Sequence, residues 1–346
     1  AIKNFNAPVL EYALSQGDIR LIESFREYYK KWNIDFEQDE IIITYGGSEA
    51  IILSLMAIGD PGDEILVPEP FYANYNGFAC EAGMTIKPIT TKAEEGFHLP
   101  SKEYIKSLIK PNTKAIMISN PGNPTGAVYT KEELEMLGEI ALEHDIFLIG
   151  DEVYREFVYD GLKFTSLMHI PGIEDRVIIC DSVSKRYSAC GARIGCVCSK
   201  NKDFMSTIMK FAQARLCAPT IEMIGAAALI NTTKEYFQKV QQEYQKRRDI
   251  VYNALLNIPN VVCEKPMGAF YVVAKLPIDD AENFAKWMLT DFNVNNATTM
   301  VAPAAGFYAT PGLGKDEVRL AYILKEEDLT AAMDILAKGI EAYNNR

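Results

Sequence analysis

Lys185 closes the run "RVIICDSVSK", in which an apolar stretch delivers a primary amine. Arg193 follows eight residues later in "SVSKRYSACGARIG". An average lysine at a strand end is a solvated cation. An amine carried out of a buried strand, with a guanidinium near it, also meets the needs of Schiff-base chemistry on an anionic ligand. Other segments of the chain have to decide between the two.

Three further segments end apolar runs with polar groups. "YGGSEAI" (45–51) puts Gly47 and Ser48 at a helix start, where free N–H groups and the helix dipole attract an anion. A plain N-cap by Ser48 accounts for the same residues. "SNPGNPTGAVYT" (119–130) is a loop stiffened by proline and glycine, with the Asn123 amide inside it. Such a loop positions a ligand or is simply a turn. "IFLIGDEVYREF" (146–157) sets Asp151 at the end of an apolar strand, where a carboxylate needs a cationic or N–H partner. Tyr154 follows one helical turn on and faces the same space. With Ser182, Lys185 and Arg193 these residues supply an anion cradle, an acid for a heterocyclic nitrogen, hydrogen bonds for a phenolic oxygen, and an amine. Pyridoxal phosphate requires that set.

The elements that must position them alternate from about residue 41 to 200. Short apolar runs ("IIIT", "EILVPEP", "TIKPIT", "KAIMISN", "IFLIGDE", "RVIICDS", "IGCVCS") interleave with amphipathic stretches. This pattern predicts βαβ units in a mainly parallel sheet with helices on both faces. Ligands of such sheets bind beyond the carboxyl ends of the strands, where the polar residues above fall. A helical region follows, and then "GAFYVVAKLP", "DAENFAKWMLTDF", "EVRLAYIL" and a closing helix predict a smaller α+β domain. The expected division is a leading segment 1–12, a large α/β domain 13–245 and a small C-terminal domain 246–346.

The formal net charge of −12 argues against nucleic acid or an anionic membrane surface as partner. No run is apolar and long enough to cross a bilayer, and the first residues lack a signal pattern. Seven dispersed cysteines argue against a disulfide framework and for a reducing, cytoplasmic setting. No CxxC pair or histidine cluster suggests a metal, and His98, His144 and His169 read as structural or surface residues. Cys196 and Cys198 are expected on one face of a strand.

"NPGNPTG", "DEVY" and "SVSK" with arginine at +8, in that order, resemble the fold-type I pyridoxal-phosphate enzymes, and among them the aspartate aminotransferase-like class I/II aminotransferases. The resemblance runs from about Tyr12 to the C-terminus. It implies that Lys185 is the Schiff-base lysine and Asp151 the partner of the pyridine nitrogen. Tyr154 and Asn123 correspond to the hydrogen bonders of the cofactor 3′ oxygen, and Ser182, Arg193, Gly47 and Ser48 to the phosphate cup. Tyr72 in "PEPFYANY" is similar to the aromatic residue that stacks on the pyridine, with Phe71 as the alternative. Tyr12 resembles a tyrosine that reaches the phosphate of the neighbouring subunit, which implies a homodimer. Arg319 in "EVRLAYIL" matches the arginine that grips the substrate α-carboxylate, with Asn123 beside it. Arg215 falls near an arginine that meets a distal carboxylate across the subunit boundary, or is an interface or surface arginine. Family chains carry several dozen residues before the Tyr12 position, so 1–12 reads as the remainder of that segment.

The activity implied is transfer of an amino group from an L-amino acid, aspartate first, to a 2-oxo acid such as 2-oxoglutarate. A carbon–sulfur β-lyase, a decarboxylase, or an aminotransferase for aromatic or other amino acids would use the same lysine and cofactor. A cofactor-binding effector domain of a regulator is the remaining alternative; it would need a basic DNA-binding domain, which this acidic chain lacks.

Overall fold

A computed structural model describes residues 8–346 of the chain. Within the leading segment 1–12, residues 1–7 therefore lie outside the described residues. The larger of two sheets has seven strands: β1 (Ile41–Thr44), β2 (Glu64–Glu69), β3 (Thr85–Thr90), β4 (Thr113–Ser119), β5 (Phe147–Asp151), β6 (Val177–Ser182) and β7 (Gly195–Cys198). Their order across the sheet is β1-β7-β6-β5-β4-β2-β3. The parallel pairs Ile149–Ile178 and Met117–Ile149 show the register of its centre.

The helices that cover this sheet are α1 (Ile19–Lys30), α2 (Gly46–Ile58), α3 (Asn74–Glu81), α4 (Lys102–Leu108), α5 (Lys131–His144), α6 (Lys202–Arg215) and α7 (Thr220–Ala227). Because side chains alternate along a strand, each central strand feeds two cores. Val177 and Ile179 join Leu21, Phe25, Leu137 and Ile140 on one side. Ile178 and Cys180 join Ile51, Leu55, Phe204 and Ile208 on the other. Truncation of Ile179 to alanine would cost about 2–5 kcal/mol at such a site. The start of α5 is fixed by a reciprocal pair in which Thr130 Oγ1 accepts the Glu133 N–H and the Glu133 carboxylate accepts the Thr130 N–H. Asp145, at φ 56° beyond its last turn, ends it.

The long α8 (Lys234–Leu256) leads to a three-stranded antiparallel sheet of β8 (Tyr271–Lys275), β9 (Ala302–Pro303) and β10 (Glu317–Ala321), in the order β8-β10-β9. Helices α9 (Ala281–Thr290) and α10 (Glu326–Asn344) pack on it. Val251 and Leu255 of α8 share a core with Phe284, Leu336 and Tyr322.

The sheet is mainly parallel, as expected, with β7 reversed against both β6 and β1. Two local expectations are corrected. The chain after β5 forms a turn at 153–156 rather than a helix, and this turn carries Tyr154. Ser48 is not the N-cap of α2: Tyr45 holds that position without a side-chain cap, and Ser48 is the third helical residue. The cysteine expectation holds, with Cys198 and Cys196 Sγ atoms 3.6 Å apart on β7.

Candidate active site

A cleft of about 350 Å³ opens beyond the carboxyl ends of β4, β5 and β6. All the singled-out residues except Tyr12 and Arg215 line it. Its volume lies within the range of small-molecule sites.

One end is built for an anion. The first N–H groups of α2 have no side-chain cap, so they and the helix dipole face the cleft at Gly47 and Ser48. Gly46 sits at φ +73°, and a Cβ there would collide with the Arg193 guanidinium. A glycine is therefore required for the arginine to approach the helix start. The guanidinium is aimed by bonds from Nη1 to the Cys190 carbonyl (2.9 Å) and from Nη2 to the Tyr45 carbonyl (3.2 Å). Ser182 Oγ donates to the Ile194 carbonyl (2.9 Å) and lies 2.7 Å from Ser184 Oγ. Cation, hydroxyls and free N–H groups converge, as phosphate binding demands.

The other end is acidic. Asp151, 7% exposed at the tip of β5, accepts the Tyr75 hydroxyl at 2.7 Å. The Val153 N–H lies at 3.4 Å from its other oxygen. Burial pushes its carboxyl up to about 6, against the hydrogen bonds from Tyr75 and Val153. A cationic ring N–H would relieve that cost.

Between the two ends lies the amine. Lys185 Nζ is 5.8 Å from the Tyr154 ring centre and 5.9 Å from that of Phe270. Tyr154 Oη is 3.2 Å from Tyr271 Oη. Arg319 on β10 donates from Nη1 to Asn123 Oδ1 (3.3 Å) and lies 4.8 Å from each of the Tyr271 and Phe307 rings. Tyr72 lines the cleft, whereas Phe71 is buried and packs on Tyr75. Of these two, Tyr72 is the side chain that a ring in the cleft can meet. The residues present suit pyridoxal phosphate at both ends, with an amine between.

Tyr12 and Arg215 lie elsewhere. Tyr12 is 80% exposed, in a segment with exposed Val9, Leu10 and Leu14. Arg215 donates from Nη2 to the Ile43 carbonyl (2.8 Å), with Nε 3.4 Å from Glu49 and its guanidinium over the Tyr45 ring. Thr220 Oγ1 reaches the Glu11 carbonyl and Tyr45 Oη the Cys217 carbonyl, so these segments adjoin.

Sequence reasoning missed Tyr75, Ser184 and Tyr271. Tyr75, in α3, reaches the site only through its bond to Asp151, a contact that no local spacing announces. Tyr271 sits in a strand read only as packing. The histidines stay outside the cleft: His98 pairs with Glu133 (2.9 Å), and His169 Nε2 is 2.8 Å from the Trp32 carbonyl. Among the described residues no helix is long and apolar enough to cross a membrane, and no acidic, histidine or cysteine cluster could hold a metal ion.

Comparison with known proteins extends the geometry. The family described as aminotransferase class I and II matches residues 4–336. The chain is 31% identical to the aspartate aminotransferase of Bacillus subtilis, over 99% of this chain and 87% of that one. Among solved structures it is similar to the Thermus thermophilus aspartate aminotransferase with maleate (TM-score 0.83, 30% identity, 95% of this chain and 84% of that). It is also similar to the aromatic aminotransferase of Pyrococcus horikoshii (TM-score 0.88, 28% identity, 96% and 88%).

Proposed function

The chain belongs to the class I and II aminotransferases, and from that premise we propose that its amino donor is aspartate and its acceptor 2-oxoglutarate. It is a pyridoxal-phosphate-dependent transferase of amino groups with the fold-type I architecture. The observation that carries the site reading is the convergence of Lys185, Asp151 and Arg193, from three separate strand ends, in one cleft with Arg319 on its wall.

Bound pyridoxal phosphate supplies a carbonyl that takes up the amino group and a ring that accepts electrons from the substrate Cα. Lys185 would hold the cofactor at that carbonyl and, with substrate in its place, would be the amine set to take and return the substrate Cα proton. Asp151, as a carboxylate, keeps the ring nitrogen protonated. Tyr154 and Asn123 bind the ring oxygen, and Tyr72 covers the ring face. Arg193, Ser182 and the N–H groups at Gly47 and Ser48 hold the phosphate. Arg319 grips the substrate α-carboxylate as a two-pronged fork, with Asn123 beside it.

The reading includes a homodimer with two domains per chain, 13–245 and 246–346, divided within α8. Its support is the exposed Val9, Leu10, Tyr12 and Leu14, in a segment that meets Thr220 a few residues beyond the exposed Leu216, an apolar surface of the kind a partner covers. Tyr12 then serves the phosphate of the adjacent subunit, and Arg215 the distal carboxylate of a substrate bound there. The seven cysteines, all free thiols, favour the cytoplasm. A second reading, an aromatic amino acid as donor, is favoured by the Tyr72, Tyr271 and Phe307 rings near Arg319.

The test is the absorption spectrum of the cofactor-loaded protein during single additions of amino acids. Aspartate should bleach the visible band, and 2-oxoglutarate should restore it. Release of pyruvate or ammonia without formation of the pyridoxamine form would replace transamination by a lyase reaction. Arg215→Ala should weaken aspartate far more than alanine or phenylalanine; equal losses would remove Arg215 from the substrate pocket.

A further inference from the structure

Arg186 adjoins Lys185 and has no part in the roles above, yet its side chain is fully buried. A buried guanidinium persists only when paired and hydrogen bonded. Its Nη1 donates to Asp181 Oδ1 (2.7 Å) and to the Ser182 carbonyl (3.1 Å). The same Oδ1 accepts the Ser182 N–H at 2.7 Å. One ion pair thus holds both main-chain groups of Ser182. Asp181 Oδ2 accepts the Tyr29 hydroxyl (3.1 Å) and lies 3.8 Å from Nη1 of Arg155, a second buried guanidinium. The Arg186 guanidinium rests over the Tyr28 ring, 4.1 Å from its centre.

Beyond Ser182 the chain turns at once. Ser184 N–H donates to Ser182 Oγ (3.1 Å), Ala189 N–H to the Ser184 carbonyl (3.0 Å), and Ser188 N–H to the Lys185 carbonyl (3.1 Å). Lys185 projects from this turn. We propose that Arg186 is a positioning residue, whose ion pair with Asp181 fixes the Ser182 peptide and so aims both the Lys185 amine and the Ser182 hydroxyl into the cleft. This rests on the reading of Lys185 as the residue that holds the cofactor. The Asp181 charge is also felt at Asp151. Against its own burial, Arg186 and Arg155 hold the Asp181 carboxyl below its usual range, and that negative charge adds to the burial that pushes Asp151 up.

A lysine at position 186 would keep the charge but lose the fixed planar group that places Nη1 between the Asp181 carboxylate and the Ser182 carbonyl and lies flat over the Tyr28 ring. Arg186→Lys is therefore the deciding variant, measured beside the wild type and Lys185→Ala. If Lys185 holds the cofactor, the wild type shows the visible band and Lys185→Ala does not; a band in both would remove the premise and the inference together. With the premise intact, Arg186→Lys should melt within a few degrees of wild type as apoprotein. Its cofactor dissociation constant should rise and its kcat fall by about tenfold or more, the cost of a misplaced catalytic group. The midpoint of the band's pH titration should move, while KM for the amino donor, set at Arg319, changes less than about twofold. A folded Arg186→Lys with wild-type cofactor affinity, kcat and band titration would overturn the proposal. Should Arg186→Lys fail to fold, Asp181→Asn/Arg186→Met removes both charges together and is read in the same way. Loss of fold in both variants would also overturn it, in favour of a purely structural ion pair.

Discussion

Asp151 is proposed to work as a carboxylate, yet burial pushes its carboxyl up to about 6. The sign of the effect follows. In the unfolded chain the group titrates near 4, so the stability it contributes to the apoprotein is complete below that pH and is lost as pH rises through 6. The difference of about two units corresponds to about 3 kcal/mol. A bound cofactor with a protonated ring nitrogen offsets the loss. The rise in Tm on cofactor addition should therefore grow between pH 4 and 7, and Asp151→Asn should flatten that dependence. A rise in Tm that is constant with pH would separate Asp151 from the ring nitrogen. At this scale Asp151 was legible as a polar residue closing an apolar strand, Lys185 and Asn123 as polar residues just beyond one, and Arg193 by its spacing from Lys185. Tyr75 and Arg186 were not. Their importance comes from whom they touch, Asp151 and the Ser182 peptide, and neither contact leaves a mark in local spacing.

The elements position the substrate end through one carboxylate. Glu69, at the end of β2 and fully buried, accepts N–H groups from Ala309 (2.9 Å) and Thr310 (3.0 Å) and hydroxyls from Thr310 (2.6 Å) and Thr90 (3.0 Å). Phe71 N–H donates to the Phe307 carbonyl nearby (2.9 Å). The loop that holds Phe307 against Arg319 is thus tied to the larger sheet. Glu69→Ala strands these donors and should cost about 3–5 kcal/mol in denaturant titration. It should also raise KM for amino acids while leaving the cofactor band unchanged, and an unchanged KM would uncouple the loop from Arg319. Strand and helix identities were legible because apolar periodicity reports burial. The reversed direction of β7 was not, since a strand buried on both faces reads the same in either sense. The turn after β5 was missed for a related reason: "VYREF" has the residues of a short helix, and only its packing makes it a turn.

At the scale of the whole molecule, the exposed segment around Tyr12 and the apolar Leu216 define a surface that a second subunit is proposed to cover. Subunits carrying Lys185→Ala and subunits carrying Tyr12→Ala should each be impaired alone. Mixed and reassociated, they form hybrids in which one site combines Lys185 of one chain with Tyr12 of the other. Activity above the sum of the two parents is expected, and its absence would place Tyr12 outside the partner's site. The order of strands has a further consequence, one that concerns how the chain is made. β1 lies at the sheet edge and pairs with β7 alone, Ile41 against Cys198. During synthesis the "IIIT" segment therefore leaves the ribosome long before β7, its sheet neighbour among the described residues, exists. Until then the edge that will face β7 is open, and Ile41, Ile42 and Ile43 make it apolar, of the kind that invites aggregation. Arg193 and Gly195 emerge at the same late moment, so a nascent chain that stops short of them has neither a closed larger sheet nor the proposed phosphate cup. On that proposal cofactor loading waits at least for β7, and until that strand arrives β1 is the segment that a ribosome-associated chaperone should shield.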